Sequence, residues 1–197
     1  MNFLGHLYFS YNNLELMYAN LFGDHVKGSD YSHFPEIVQT GITLHRSIDN
    51  YIDHHPKVVE LMHKLYPELP KVTGIAIDLF FDHLLAIHWK KYHSDEYFEF
   101  LETFYSYSPQ NWDSFSPHFQ TLITTMKERK WMNYYPQFEG LVKATQGVGS
   151  RISFPNKLPM ASSVFLGHRD EIETCFQLFM KDAIEYFNHK YIELNNK

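Results

Sequence analysis

From Asn12 to the end of the chain, apolar residues recur at the spacing of a helix, and no stretch alternates apolar and polar as a half-buried strand does. That periodicity restricts the chain to an all-α architecture. Leu14, Met17, Tyr18, Leu21 and Phe22 form one stripe over residues 12–25, with Asn12 or Asn13 able to cap. Pro35 suits a first turn, and Ile37, Val38, Ile42, Leu44, Ile48 and Ile52 carry a helix to Pro56, where the next opens. Residues 71–92 read as a single helix built on Val72, Ile75, Ala76, Leu79, Phe80, Leu84 and Ile87. Ser94 is placed to cap the helix after it, and Ser116 with Pro117 forms a cap and first-turn pair. Pro136 opens a further helix that Gly147 and Gly149 end, residues 158–166 make a short apolar turn or helix, and 169–193 form a long final helix. The expectation is a compact multi-helix bundle of roughly eight or nine helices in one domain spanning 1–197, with the Pro- and Ser-rich turn at 106–116 as the single plausible seam.

Aromatic residues make up 17% of the chain, and such bulky rings suit thick helix-helix contacts with wide clefts between them. A single cysteine, Cys175, excludes an internal disulfide framework or a multi-cysteine metal site, and points to an intracellular, cytoplasmic protein. The formal charge of −6 argues against bulk affinity for nucleic acid. The apolar segments are too short or too interrupted to span a bilayer, so neither export nor membrane insertion is expected.

The informative feature is the set of ionisable residues inside apolar helices of the first half. In LHRSIDNYIDHHP, His45, Asp49 and Asp53 are spaced one turn apart and share a face. GIAIDLFFDHLLAIHW places Asp78 and Asp82 in the same relation, with His83 beside the latter, and FGDHVKG adds Asp24 and His25. Burying a bare carboxylate costs several kcal/mol, so such positions are expected to be paired or to ligate metal. Facing helices can enclose an ion that no one helix can, and a mixed imidazole and carboxylate set favours Mn, Fe or Zn over calcium. Lys27 and Arg46 sit beside these acids, as neutralising partners or as clamps for a phosphoryl group. Metal, acids and a phosphate clamp together point to hydrolysis by metal-activated water.

The motifs MNFLGHL, ANLFGDHVKG, GITLHRSIDNYIDHHP, DLFFDHLLAIHW, WMNYYPQFEGL and the segment ending GSRIS follow one another in an order that resembles the acyl carrier protein phosphodiesterases, also called holo-acyl-carrier-protein hydrolases. The resemblance covers most of the chain. It implies an all-helical bundle akin to the HD-type metal phosphohydrolases. It also implies a divalent ion, typically Mn²⁺ with Mg²⁺, Fe²⁺ or Zn²⁺ as alternatives, and hydrolysis of the phosphodiester joining 4'-phosphopantetheine to a serine of acyl carrier protein. The family's GD pair falls on Gly23 and Asp24, its LHR on Leu44 to Arg46, the following ID on Ile48 and Asp49, and its FDH on Phe81 to His83. The order Asp82 then His83 inverts that of ordinary HD enzymes.

On that basis Asp24, His45, Asp82 and His83 are the expected metal ligands. Asp49 is expected beside them, orienting His45, helping to deprotonate water, or itself ligating. Arg46 or Lys27 would stabilise charge on the phosphoryl oxygens, and His6 or His83 would supply a proton to the leaving serine. Residues 106–165 would shape a mobile, aromatic-edged mouth for the pantetheine arm through Trp112, Trp131, Tyr134, Tyr135 and Arg151. Lys90 with Lys91, or Lys127 with Arg129 and Lys130, would meet the acidic carrier protein. The alternatives are a nucleotide or small-diester phosphohydrolase of the HD type, and a non-catalytic helical module that binds carrier protein.

Overall fold

The computed structural model describes residues 1–195, and among them every regular element is a helix. In chain order these are α1 (Phe3–Tyr8), α2 (Leu14–Phe22), α3 (Glu36–His54), α4 (Pro56–Leu65), α5 (Thr73–Ile87), α6 (Trp89–Tyr92), α7 (Tyr97–Ser106), α8 (Pro117–Arg129), α9 (Phe138–Gly149), α10 (Ala161–Gly167) and α11 (Arg169–Asn195). Single 3₁₀ turns lie at Gly23–His25, Trp112–Ser114, Trp131–Tyr134 and Leu158–Met160. The chain is therefore cut into more and shorter helices than the apolar periodicity alone indicates.

Two of the expected caps form. The Asn13 side chain accepts the Leu16 N–H at 3.1 Å, and Ser116 accepts the Phe119 N–H at 3.3 Å with Pro117 in the first turn behind it. Other boundaries differ from expectation. The 71–92 segment is not one helix: it breaks at His88, whose φ of −97° and ψ of 17° lie outside the helical region, and α6 swings Trp89 inward. The buried Trp89 indole gains by this a hydrogen bond to the Asp95 carbonyl at 3.0 Å. Ser94 turns its hydroxyl to Asp95 instead of capping α7. Pro136 stays in the turn before α9, and Gly147 and Gly149 lie within that helix.

α5 is the central element. Ala76, Ile77, Phe80, Phe81, Leu84 and Leu85 are at most 1% exposed, so apolar side chains surround it on several sides and its ionisable residues are drawn into the core. α2 and α3 form the most extensive helix pair. Gly41 permits that approach, since a Cβ there would lie 2.3 Å from the Ala19 Cβ. The 106–116 segment is fastened to α2 by hydrogen bonds. Glu15 of α2 accepts hydrogen bonds from the Tyr107 hydroxyl, the Gln110 N–H and the Asn111 amide, while the Tyr18 hydroxyl donates to the Phe104 and Tyr107 carbonyls.

Candidate metal centre

The helical period of α3 puts His45 and Asp49 one turn apart, and α1 brings His6 against them from across the bundle. The Asp49 carboxylate lies between the two imidazoles: its Oδ2 is 3.1 Å from His45 Nε2 and its Oδ1 is 3.3 Å from His6 Nε2. The two rings stack with centroids 4.2 Å apart. One ligand atom from each of the three side chains falls within 4.8 Å of the others, and among the described residues this is the one His/Asp group so arranged. The 3₁₀ turn that carries Asp24 packs directly on His45, because a Cβ on Gly23 would lie 2.4 Å from the Cβ of His45.

The tautomer of His6 follows from its neighbours. Asn20 Nδ2 donates to the His6 carbonyl at 2.9 Å and to Ser10 Oγ at 3.0 Å, which fixes the orientation of the amide and leaves its Oδ1 facing His6 Nδ1 at 3.0 Å. Oδ1 can only accept, so Nδ1 carries the hydrogen and Nε2 presents a lone pair to the Asp49 carboxylate. Two acceptors at that separation require a proton or a cation between them. Burial, then the neighbouring His45, holds His6 below the ordinary imidazole range and disfavours the protonated form. His45 Nδ1 is buried without a partner. Burial works against ionisation of Asp49, but the two imidazoles against it, His45 before His6, outweigh that and keep the carboxyl far below its usual range. A neutral imidazole with an outer hydrogen-bond partner, a second buried imidazole and an ionised carboxylate form a donor set that suits a divalent transition metal.

The cluster opens on a cavity of about 420 Å³. Asp24, Asp53 and Asp78 join Asp49 in its polar lining, and Leu21, Ile52, Ile75 and Leu79 supply apolar wall. The Met1 α-amino group pairs with Asp78 at 2.8 Å. Burial, then Asp78, raises Asp53 above the ordinary carboxyl range.

The remaining expected site residues have other partners. Asp82 is 1% exposed and accepts the Leu4 N–H at 2.8 Å on one oxygen and the Gly5 N–H at 3.0 Å on the other, so it holds the N-terminal turn of α1. Burial pushes its carboxyl up to about 7 against the pull of the N-terminal ammonium and these two amides. His83 shares a 2.6 Å hydrogen bond through Nδ1 with the Tyr135 carbonyl. Burial lowers its pKa, and neither Asp82 nor His83 lines the cavity. Arg46 donates from Nη2 to the Val26 and Gly28 carbonyls at 3.0 and 2.6 Å and lies over the Tyr31 ring, which pins the loop after Asp24. Lys27 is exposed and outside the cavity wall. Asn20 was not singled out from the sequence, although a fully buried amide on an apolar stripe, in ANLFGD, is the signal that marks it.

A second cavity of about 380 Å³ shares Asn2, Phe3 and Val148 with the first and runs between α1, the Trp131–Tyr134 turn and α9. Trp131, Tyr134, Tyr135, Gly147 and Arg151 of the expected mouth line it, whereas Trp112 lies elsewhere.

The model of a family described as acyl carrier protein phosphodiesterase matches residues 1–183. Curated relatives carry the same description. The protein of Enterobacter sp. (strain 638) is 28% identical over 180 residues, covering 91% of this chain and 93% of its own length. That of Escherichia coli O139:H28 is 29% identical over 195 residues, covering 96% and 99%. That of Salmonella paratyphi A is 30% identical over 155 residues, covering 77% and 79%. No solved structure matches the chain. With its motifs in order, a buried imidazole and carboxylate cluster at the cavity, and a family model spanning nearly all of its length, the chain belongs to the acyl carrier protein phosphodiesterase family.

Proposed function

We propose that the chain is a metal-dependent phosphodiesterase that hydrolyses the bond between 4'-phosphopantetheine and a serine of holo acyl carrier protein, releasing the apo protein. The observation that carries this reading is the His6–Asp49–His45 cluster on the wall of an open cavity, in a chain of this family. His6, His45 and Asp49 would hold a divalent ion, with Mn²⁺ the first choice for a mixed nitrogen and oxygen set, and Asp24, on the turn packed against His45, is a further carboxylate of the wall. When bound, such an ion supplies Lewis-acid charge for a phosphoryl oxygen and lowers the pKa of water.

The chain's own groups do the rest. Asn20 keeps the Nε2 lone pair of His6 aimed at the cluster. Asp49 spreads one negative charge over both imidazoles. Asp53, a wall residue whose carboxyl desolvation and the neighbouring Asp78 raise above its ordinary range, is the candidate to protonate the departing serine oxygen. Asp82 and His83 act as props: the first sets the depth of α1 and hence of His6, the second ties α5 to the turn before α9. Arg46 affects the site through the loop that follows Asp24, and Lys27 stands exposed on that loop outside the cavity wall.

We read residues 1–197 as one all-helical domain of HD-like character working in the cytoplasm, where its carrier-protein substrate is made and used. No helix among the described residues is long and apolar enough to cross a membrane. The test is direct. Holo acyl carrier protein incubated with this chain and Mn²⁺ should convert to the apo mass. In water labelled with heavy oxygen, the label should enter the released 4'-phosphopantetheine and not the serine. Label in the serine, or no conversion, would reject the reading.

A further inference from the structure

The second cavity differs from the first in charge. Its lining holds Arg129, Lys143 and Arg151 and no carboxylate, whereas the first is walled by four aspartates. Each of the three cations is exposed, and among the described residues none has a carboxylate within ion-pair distance. Lys143 lies over the Tyr134 ring at 5.2 Å, and Arg151 is steadied by its Nε–H donating to the Gly147 carbonyl at 3.0 Å. Of the other basic residues expected to meet the carrier protein, Lys90 pairs with Glu96, Lys130 pairs with Glu102, Lys127 donates to the Tyr107 carbonyl, and Lys91 lies over the Tyr92 ring outside this cleft. In a chain of net charge −6, three unpaired cations around one cleft form a local field suited to an acidic partner.

Gly147 supplies an independent observation. It lies inside α9, where glycine costs about 1 kcal/mol relative to alanine. Packing does not require it. Its φ is not in the left-handed region, and an added Cβ would meet only the tip of Arg151, at 4.0 Å. What its bare backbone does is keep the cleft open, beside Ala144 and Val148 on the same helix.

We propose that this cleft is the seat of the substrate's arm. The pantetheine chain lies along Phe3, Trp131, Ala144 and Gly147 with its phosphodiester at the shared wall of the two cavities, and the acidic carrier protein rests on Arg129, Lys143 and Arg151. The assignment rests on the function proposed above for the first cavity. It makes the three cations determinants of partner affinity and Gly147 a determinant of arm entry, with no part in the chemistry.

Binding separates the two claims. The dissociation constants of holo carrier protein, apo carrier protein and free 4'-phosphopantetheine should be measured by calorimetry with wild type, Gly147→Leu and the Lys143→Glu/Arg151→Glu double variant. Gly147→Leu should unfold no earlier than wild type, bind holo protein and free 4'-phosphopantetheine at least about tenfold more weakly, and bind apo protein as before. The double variant should weaken holo and apo protein by about tenfold or more and lose most of the salt dependence of binding. The KM for holo protein should rise in both variants, while hydrolysis of a small diester lacking pantetheine is unchanged. Wild-type affinity for holo protein in a folded Gly147→Leu variant would overturn the arm assignment, and wild-type affinity for both proteins in the double variant would overturn the docking assignment. If wild type and variants differ in binding as stated but no apo product forms, the hydrolytic reading fails and the cleft stands. If apo product forms with equal KM throughout, the cleft fails and the hydrolytic reading stands.

Discussion

His6 lies on the face of His45, the rings 17° from parallel, and each turns Nε2 to a different oxygen of Asp49. Two imidazoles in van der Waals contact repel one another when both are charged, so the stacking favours neutral rings, the form in which imidazole can ligate a metal. It also couples α1 to α3 through the site: any change that shifts α1 moves one ligand relative to the other two.

Asn20 is the outer support of that cluster. Replacing it with leucine removes the acceptor of the His6 Nδ1–H and one of the two donors to the His6 carbonyl, the Ser10 hydroxyl remaining at 2.8 Å. Mn²⁺ affinity should fall by about 10- to 100-fold, the range found for such supporting partners. The loss should exceed what the drop in melting temperature accounts for, as judged by metal titration on folded protein. Unchanged affinity would dissociate Asn20 from the site.

Asp82 offers a test of prop against ligand. Asp82→Ala strands the buried Leu4 and Gly5 N–H groups, at a cost of about 1–3 kcal/mol each, whereas Asp82→Asn keeps one acceptor. Thermal unfolding should rank wild type above Asp82→Asn above Asp82→Ala. Folded Asp82→Asn should still bind Mn²⁺ with near-native stoichiometry. A stable Asp82→Asn protein that binds no metal would return Asp82 to the ligand set.

Away from the site, His168 joins the start of α11 to the turn after α4, with Nε2 at 2.7 Å from Glu68 and Nδ1 at 3.0 Å from Glu171. Hydrogen bonds to Glu171 and Glu68 raise its pKa above 6.5. A raised folded-state pKa means that the protonated form stabilises the fold. The contribution is fully present below the unfolded pKa of 6.5 and is lost as pH rises through the higher folded value. His168→Gln should therefore lower the melting temperature at pH 6, and the difference from wild type should shrink toward pH 9. A difference that is constant with pH would assign the residue to packing alone.

Much of the bundle is legible in the sequence because burial and periodicity are local properties. Asn13 and Ser116 announce their caps, and the one-turn spacing of His45 and Asp49 announces a shared face. The break at His88 is not legible, since the apolar period continues through Trp89 and the deciding contact is the indole with Asp95. In the site, Asp24, His45 and Asp49 stand out in their segments, whereas His6 stands out in the opening motif only as a proton donor and not as a member of the His/Asp cluster. The difficulty lies with Asp82. A carboxylate in an apolar helix reads equally as a metal ligand or as the anchor of another helix's N-terminus, and its partner, Leu4, is 78 residues away. The pairing of His6 with Asp49 is equally non-local, so sequence periodicity places both residues on helix faces without bringing those faces together.

Low-temperature Mn²⁺ spin resonance on wild type, Asp49→Ala and Asp82→Asn tests the metal centre most directly. Titrated with Mn²⁺, wild type and Asp82→Asn should take up the ion stoichiometrically, with hyperfine structure from directly bonded imidazole nitrogen that diminishes in His6→Ala and His45→Ala. Asp49→Ala should bind at least about tenfold more weakly while remaining helical by circular dichroism. Equal Mn²⁺ uptake by Asp49→Ala and wild type, with nitrogen coupling unaltered by either histidine substitution, would contradict the assignment of His6, His45 and Asp49 as the metal centre.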